Sequence, residues 1–499
     1  MTISRQKAAK SLVWTSLESG GLSGLSFLTL IVLSHFLAPT EFGVASLALS
    51  VVQILNIPVE MLFHDALVQR KTIEDRHFDT AFTVSLGIGI VLALGCWAGA
   101  DAFARWVGEP SAASVLRWMS LSLPAMGMGS AIMARLRREM QFRPLALRSL
   151  GGRLVGALTA VILAILGAGV WSLVAQQVLM VGLATVILWA CADRWPRLSV
   201  SRTAFTDLFG FGLRATSVMA TFFAFQRIFI LLVGNFLGSE VVGYLNMAFR
   251  TVDMLRDVLA GAVSQLLLPV FARLQDDRPA FIRAYGNAVE YTCAIAFPIF
   301  LGLFATAPEL VPAVLGVAWQ SAVPFVEALA LATIPFYCRM FAAPAMSALG
   351  KPHYPLVSSL VGLGVMIVGM TAVGRNSALL AIAIWVGRLA VSTPIDIWML
   401  RRLSGMTLKE QFTGLPRLII IGAAMVAAVE LIRPALQPWA LSITVQLGIL
   451  VLAGAAVYGG GMLVFNRSLT VRLIDFVQSA RKPHGPAVVL TTRTDGAAL

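Results

Sequence analysis

The sequence predicts an all-α polytopic membrane protein. Its expected plan is about 14 transmembrane helices, in two pseudo-symmetric six-helix lobes with two extra C-terminal helices. Three observations lead there. First, 58% of the 499 residues are hydrophobic and 13% charged, with a mean hydropathy of +0.83; soluble globular chains of this length do not have that composition. Second, apolar segments of about 20 residues, enough to cross the hydrocarbon core as helix, recur along the whole chain. Third, the basic residues crowd into every second gap between them.

The segments fall near 11–36, 43–67, 79–101, 113–135, 146–167, 169–192, 208–235, 241–270, 282–306, 321–348, 354–374, 377–401, 415–433 and 440–465. About 27 of the 38 Lys and Arg lie in the two tails and the even-numbered gaps. Arg105, Arg117, Arg375 and Arg433 lie at the odd gaps, and the rest lie within segments. That alternation is the positive-inside pattern of a bacterial inner-membrane protein. An even number of spans with basic tails (Arg5, Lys7, Lys10; Arg467, Arg472, Arg481, Lys482) puts both termini in the cytoplasm. The net charge of +13 is then explained by topology and anionic lipid, not by nucleic acid.

The basic N-terminus runs into an apolar stretch long enough to span, which reads as an uncleaved first helix. Cys96, Cys191, Cys293 and Cys338 fall in apolar spans, and the five His show no ligand spacing, so neither disulfides nor a metal site is expected. The polar stretch 467–499 reads as a disordered tail. No phosphate-binding Gly loop, zinc spacing or nucleophile elbow occurs, so no catalytic residue and no bound cofactor is assigned.

The chain repeats itself. His35-Phe36-Leu37 followed by Gly43 recurs as Asn235-Phe236-Leu237 followed by Gly243, about 200 residues later. Pro124, Pro144 and Gly151 recur as Pro335, Pro355 and Gly362, about 211 residues later. Two parallel six-helix halves follow, residues 1–207 and 208–405, with helices thirteen and fourteen (406–466) as an addition. Such halves enclose a cavity between rocking lobes.

Charges inside the spans are the candidate site, because lipid rejects them. The eighth segment carries Asn246, Arg250, Asp253, Asp257, Gly261 and Ser264 at spacings of three and four, one stripe on a helix. Arg250 is about ten residues from the outer end, roughly 15 Å deep at 1.5 Å per residue. Arg339 and Arg388 have no acid on the same turn and are assigned to a cavity wall with Arg250. Arg153, Arg214 and Arg227 complete the cationic candidates. Arg153 and Arg214 sit near inner ends, within reach of the interface; Arg227 stands between cavity and interface. Glu18, Asp65, Asp253, Asp257, Glu290 and Asp396 are either structural partners or coupling sites. Pairing of Arg250 with Asp253, or of Arg256 with Asp253 or Asp257, is the competing account of the stripe.

Several stretches carry a family resemblance. Ser11-Leu12-Val13-Trp14-Thr15-Ser16-Leu17-Glu18 and Phe36-Leu37-Ala38-Pro39-Thr40-Glu41-Phe42-Gly43 are two of them. Gly169-Val170-Trp171-Ser172-Leu173-Val174-Ala175-Gln176-Gln177 and the run from Leu268 to Asp277 are the more specific two. Over about residues 5–465 the chain resembles the Wzx-type branch of the oligosaccharide flippases in the MOP exporter superfamily. Relatives often place Arg after the helix-one Glu, whereas Ser19 follows Glu18 here, which weakens any phosphate contact on that helix.

The resemblance implies alternating-access export of an undecaprenyl-pyrophosphate-linked repeat unit for exopolysaccharide or lipopolysaccharide synthesis. Its partners would be that lipid-linked anionic oligosaccharide, membrane lipids, and the polysaccharide polymerase and chain-length or export machinery. An ion gradient or the membrane potential would drive it. Two other readings stay open: a multidrug or ion antiporter of the same superfamily, and a membrane polysaccharide polymerase or ligase, against which the short outer loops argue.

Topology is directly testable. With the four native cysteines replaced, single cysteines at Arg138 and the two termini should label only from the cytoplasmic side. Cysteines at Pro39 and Gly238 should label from outside. Outside labelling at position 138 would reverse the orientation and the direction of transport with it.

Overall fold

The computed structural model describes residues 21–472 except 23, 352, 353, 413 and 440, with the backbone alone at 215, 218, 219, 221, 222 and 260–270. Glu18 therefore lies outside the described residues, as do the side chains of Gly261 and Ser264. The described residues form helices and turns, with no strand among them.

The helices are α1 (Gly24–Ser34), α2 (Pro39–Met61), α3 (His64–Gln69), α4 (Asp75–Val107), α5 (Ser111–Ser120) and α6 (Ser122–Arg138). Next come α7 (Phe142–Ile165), α8 (Trp171–Ala190), α9 (Arg202–Leu237), α10 (Ser239–Arg273), α11 (Arg278–Leu315) and α12 (Val323–Arg339). The series ends with α13 (Ala342–Ala348), α14 (Tyr354–Ala372), α15 (Ala378–Ser404), α16 (Leu408–Gln411), α17 (Leu415–Leu436) and α18 (Ile443–Phe465). Ten helical segments among the described residues are long and apolar enough to cross a membrane.

Their ends obey local chemistry. Pro39 opens α2 at a position where its missing N–H costs nothing, and the Glu41 carboxylate accepts from the Ala38 N–H at 2.8 Å. Asp277 caps α11, its Oδ1 accepting from the Ala280 N–H at 3.0 Å. Glycines in the left-handed conformation, Gly108 and Gly405, close α4 and α15.

Three sequence expectations need correction. Segments 43–67, 113–135 and 321–348, predicted as single helices, are each split. The first becomes α2 and α3, the second α5 and α6, and the third a 3-10 turn (Val317–Ala322) with α12 and α13. A proline lies near each break: Pro58, Pro124 and Pro335. A proline inside a helix removes a hydrogen bond and crowds the preceding turn. Residues 467–472, expected in the disordered tail, are helical and Leu469 among them is fully buried; the rest of that expected tail lies outside the described residues.

Packing repeats between the halves of the chain. In the first half α4 packs on α6 and α7 on α8; in the second α11 packs on α12 and α14 on α15. Helices α17 and α18 lean on α11. Two of the basic residues at odd gaps serve this packing. Arg433 on α17 joins Glu309 on α11 at 2.7 Å and also meets Glu430, and Arg117 meets Asp101 at 2.7 Å.

The halves meet where α2 and α10 cross. A Cβ on Gly43 would stand 1.7 Å from the Ser239 carbonyl oxygen, and one on Gly243 would stand 1.9 Å from that of Pro39. The contact is reciprocal at an offset of 200 residues in both directions, a local two-fold relation. Trp319 reinforces it, donating its indole N–H to the Ser34 carbonyl at 2.8 Å and setting its ring edge-on to Phe42 at 5.2 Å. Ser239 donates its hydroxyl to Glu109.

The opposite end is fastened by charge. Arg135 and Arg194 both reach Asp75 at 2.7 Å, and Arg70 reaches Asp207 at 3.1 Å. Arg138 donates to the carbonyls of Leu67, Val68, Arg70 and Lys71, satisfying the open end of α3. Arg135 and Arg138 at the end of α6 are therefore a structural clasp.

Gly43→Ala and Gly243→Ala should lower thermal stability in detergent by similar amounts, about 1–3 kcal/mol or more, because each drives a methyl into a backbone carbonyl. Gly95→Ala, with open space around it, should be neutral or stabilising. Equal melting temperatures for all three variants would contradict the tight crossing.

Candidate functional site

Below the α2–α10 crossing lies a cavity of about 440 Å3. Helix α2 turns one face to it with Phe42, Ala45, Ser46, Leu49 and Gln53. Helix α10 contributes Arg250, Asp253, Met254 and Asp257, the central part of the polar stripe read from the sequence. Arg153 enters from α7, Gln176 and Gln177 from α8, and Arg227 from α9.

Small residues set the position of Arg153. Gly152 and Gly156 flank it, and Cβ atoms there would come within 2.5 Å of the Met180 carbonyl and 2.9 Å of the Gln176 carbonyl. Their absence lets α7 and α8 pack backbone to backbone, as small residues do in membrane interfaces. Arg153 donates one guanidinium N–H to the Ser26 hydroxyl, while its Nε is buried without a partner.

The charges sort into two groups. Asp253 is occupied: Arg256 lies 3.0 Å from Oδ1 and Gln226 donates to Oδ2 at 3.2 Å. Asp257 is exposed, 3.9 Å from the same Arg256. Arg256, left off the stripe in the sequence reading, is thus the partner of its acids. Arg153, Arg227 and Arg250 make no ion pair with an acid within 4 Å among the described residues. Three guanidinium groups from three helices thus converge on one space that also holds Asp253, engaged by Arg256, and the exposed Asp257, and none of the three is within ion-pair distance of an acid among the described residues.

The structure places other candidates elsewhere. Arg339, expected in the cavity wall, is ion-paired to the buried Asp396 between α12 and α15. Its acid is distant in sequence and adjacent in the fold, which counting within one helix turn does not detect. Arg388 lies 3.7 Å above the Trp385 ring and 4.7 Å from that of Phe225, with its Nε buried and without a hydrogen-bond partner. Arg214 is exposed and donates to its own helix at Gly210. None of these three lines the cavity. Asn246 is buried one turn from Arg250, its Oδ1 without a hydrogen-bond partner, also outside the lining.

The acids divide similarly. Asp65 sits in the first turn of α3, where the helix dipole favours a negative charge. Glu290, one of the acids named as a structural partner or coupling site, lies against Gly414 at the start of α17 and 3.8 Å from Arg472 beyond the end of α18. It belongs to a helix-end contact. Sequence reasoning missed Gln176 and Gln177 as cavity residues; both sat in a motif quoted only for its resemblance.

The two roles of arginine predict different mutant behaviour. Arg339→Ala should cost about 3–5 kcal/mol and reduce folded protein, since it strands Asp396. The double replacement Arg339→Met with Asp396→Leu should restore most of that loss. Arg250→Ala should leave melting temperature nearly unchanged. Melting curves of the purified variants decide; an Arg339→Ala protein as stable as wild type would remove its structural assignment.

Comparison with known proteins is consistent with this architecture. The family profile described as "Polysaccharide biosynthesis protein" matches residues 32–324. The succinoglycan biosynthesis transport protein ExoT of Rhizobium meliloti is 28% identical over 487 residues, covering 97% of this chain and 98% of the relative. The teichuronic acid biosynthesis protein TuaB of Bacillus subtilis is 22% identical, covering 89% of this chain and 93% of the relative. Among solved structures, the lipid II flippase MurJ in an inward closed conformation superposes with a TM-score of 0.74 at 13% identity, covering 92% of this chain and 100% of that one. An inward-facing MATE transporter of the MOP superfamily gives 0.60 at 16% identity, covering 81% and 99%. These structural likenesses speak for the fold. The chain is a multi-pass membrane protein with a fold like those of MurJ and the MATE transporter, and it belongs to the polysaccharide biosynthesis protein family.

Proposed function

We propose that this protein is a flippase for lipid-linked oligosaccharides. It moves undecaprenyl-pyrophosphate-linked repeat units across the bacterial inner membrane for exopolysaccharide or lipopolysaccharide synthesis. The observation that carries this reading is the set of three arginines, Arg153, Arg227 and Arg250, converging unpaired on one cavity. An arginine in the middle of a bilayer costs about 2.5–3.5 kcal/mol on the insertion scale. With Asp253 engaged by Arg256, three of them on one cavity outnumber the acids there and leave an excess positive charge that an anionic ligand would offset. A pyrophosphate matches in charge, and its oxygens match the forked guanidinium geometry. The prenyl tail stays in lipid while the head passes through the protein, so the step breaks no covalent bond.

The reading includes cytoplasmic termini and alternating access. The closed α2–α10 end faces outward and the cavity loads from the cytoplasm. An ion gradient or the membrane potential supplies the drive, and a polysaccharide polymerase with its export machinery receives the product. Cation antiport is the second reading, favoured by Asp253 and Asp257 on the cavity wall. The engagement of Asp253 by Arg256 and Gln226 weakens it, because that acid is already neutralised.

In a strain depleted of the protein, the lipid-linked repeat unit should accumulate in the inner leaflet. Arg153→Ala, Arg227→Ala and Arg250→Ala should each fail to restore surface polysaccharide at normal protein levels. Lysine at these positions should restore only part, since charge is kept and the fork is lost. Wild-type export by all three alanine variants would overturn the assignment. Efflux of a cationic dye without glycan accumulation on depletion would favour the antiporter.

A further inference from the structure

Arg388, near the middle of α15, is a charge in the second half that no acid answers. It makes no ion pair within 4 Å among the described residues. The one acid of its own helix, Asp396, is taken by Arg339. The charged groups that act on Arg388 most are Arg339 and Arg256, both cations. It lies outside the cavity of Arg153, Arg227 and Arg250.

Two aromatic rings hold it instead. Trp385 precedes it by one turn on α15, and Phe225 comes from α9. The rings stand at 73° with centroids 5.9 Å apart, which makes a corner. The guanidinium carbon sits in that corner, 3.7 Å from one ring and 4.7 Å from the other. Trp385 is fixed in turn, stacked on Phe229 at 4.6 Å and edge-on to Phe249 at 5.1 Å.

The rings satisfy this guanidinium only in part, because its Nε stays buried without a hydrogen-bond partner. A desolvated cation–π contact stabilises by about 2 kcal/mol. Placing an arginine at the middle of a membrane helix costs about 2.5–3.5 kcal/mol, and the neighbouring cations add repulsion. A methionine would fill the same corner with no charge to accommodate. As a brace between α9 and α15 an arginine is the costlier choice. Two convergent ring faces with no acid beside them are, however, an arrangement that recognises a cation.

We propose that Trp385 and Phe225 form an aromatic site for a guanidinium-like organic cation, and that Arg388 is its permanent, tethered occupant. The side chain fills the rings and adds to a positive field, so the second half admits no cationic ligand there. Arg388 is thus a specificity residue acting from outside the cavity. The proposal involves no cavity arginine and stands apart from the flippase reading.

Removing the tether should open the site to a free cation. The probes are methylguanidinium at low millimolar concentration and N-methylurea, a neutral molecule of similar shape, each titrated against the full-length protein in lipid nanodiscs. Arg388→Ala should bind methylguanidinium about tenfold more tightly than N-methylurea, and about tenfold more tightly than wild type does. Arg388→Met, which fills the corner without charge, should bind neither. Adding Phe225→Leu to Arg388→Ala should remove the preference for the cation. If Arg388→Ala is recovered poorly, methylguanidinium during purification should raise its yield and N-methylurea should not; no such gain would overturn the proposal. Equal affinity of Arg388→Ala for the two probes, equally tight binding by wild type or Arg388→Met, or a preference retained without Phe225 would also overturn it. So would stabilisation of wild type by chloride over gluconate that Arg388→Ala loses, because Arg388 would then be holding an anion.

Discussion

The crossing of α2 and α10 at Gly43 and Gly243 is the contact on which the rest of the arrangement depends. Backbone meets backbone there, with each glycine facing a carbonyl at the start of the other helix. The same two helices continue as walls of the cavity, α2 with Ser46 and Gln53, α10 with Arg250 and Asp257. Holding them together at one end lets them enclose a space further along. A side chain at either glycine would push the walls apart at their closest point. Trp319 and Phe42 add a packed aromatic contact at the same level, which lies in a dense, interior-like part of the molecule.

Charge is then distributed with economy. Several intramembrane or helix-end charges are paired by the protein itself: Arg256 with Asp253, Arg339 with Asp396, and Arg433 with Glu309 and Glu430, while Arg388 stacks on aromatic faces with its Nε buried and without a hydrogen-bond partner. These contacts hold helices to one another. Against that background, Arg153, Arg227 and Arg250 stand out because they face open space. Their mutual repulsion opposes an empty, dry cavity, so water or an anion is part of the stable state. The physical cost of keeping them is the argument for their function.

The site also draws on packing far from any charge. Arg153 reaches the cavity because Gly152 and Gly156 allow α7 and α8 to touch. Gln176 and Gln177 reach it from the other side of that contact. The arginines come from α7, α9 and α10, and α7 belongs to the first half of the chain while the other two belong to the second. A ligand held by all three would bridge the halves.

Much was legible in the sequence. Composition and the length of the apolar runs determine a helical membrane chain, because lipid admits only helices and closed barrels and unbroken apolar runs of about 20 residues lack the alternation of barrel strands. The 200-residue offset of Gly43 and Gly243 was read as a repeat, and the fold brings the two repeated stretches into reciprocal contact. The spacing of three and four on α10 correctly put Arg250, Asp253 and Asp257 on one face.

Which charges pair could not be read that way. Arg339 finds Asp396 on another helix, Arg388 finds Trp385 and Phe225, and Arg153 turns inward although its place near a helix end also allowed the interface. Periodicity reports the face a residue occupies on its own helix. Only the packing of helices distant in sequence decides what that face meets, and that decides whether a buried charge is a brace or a binding group.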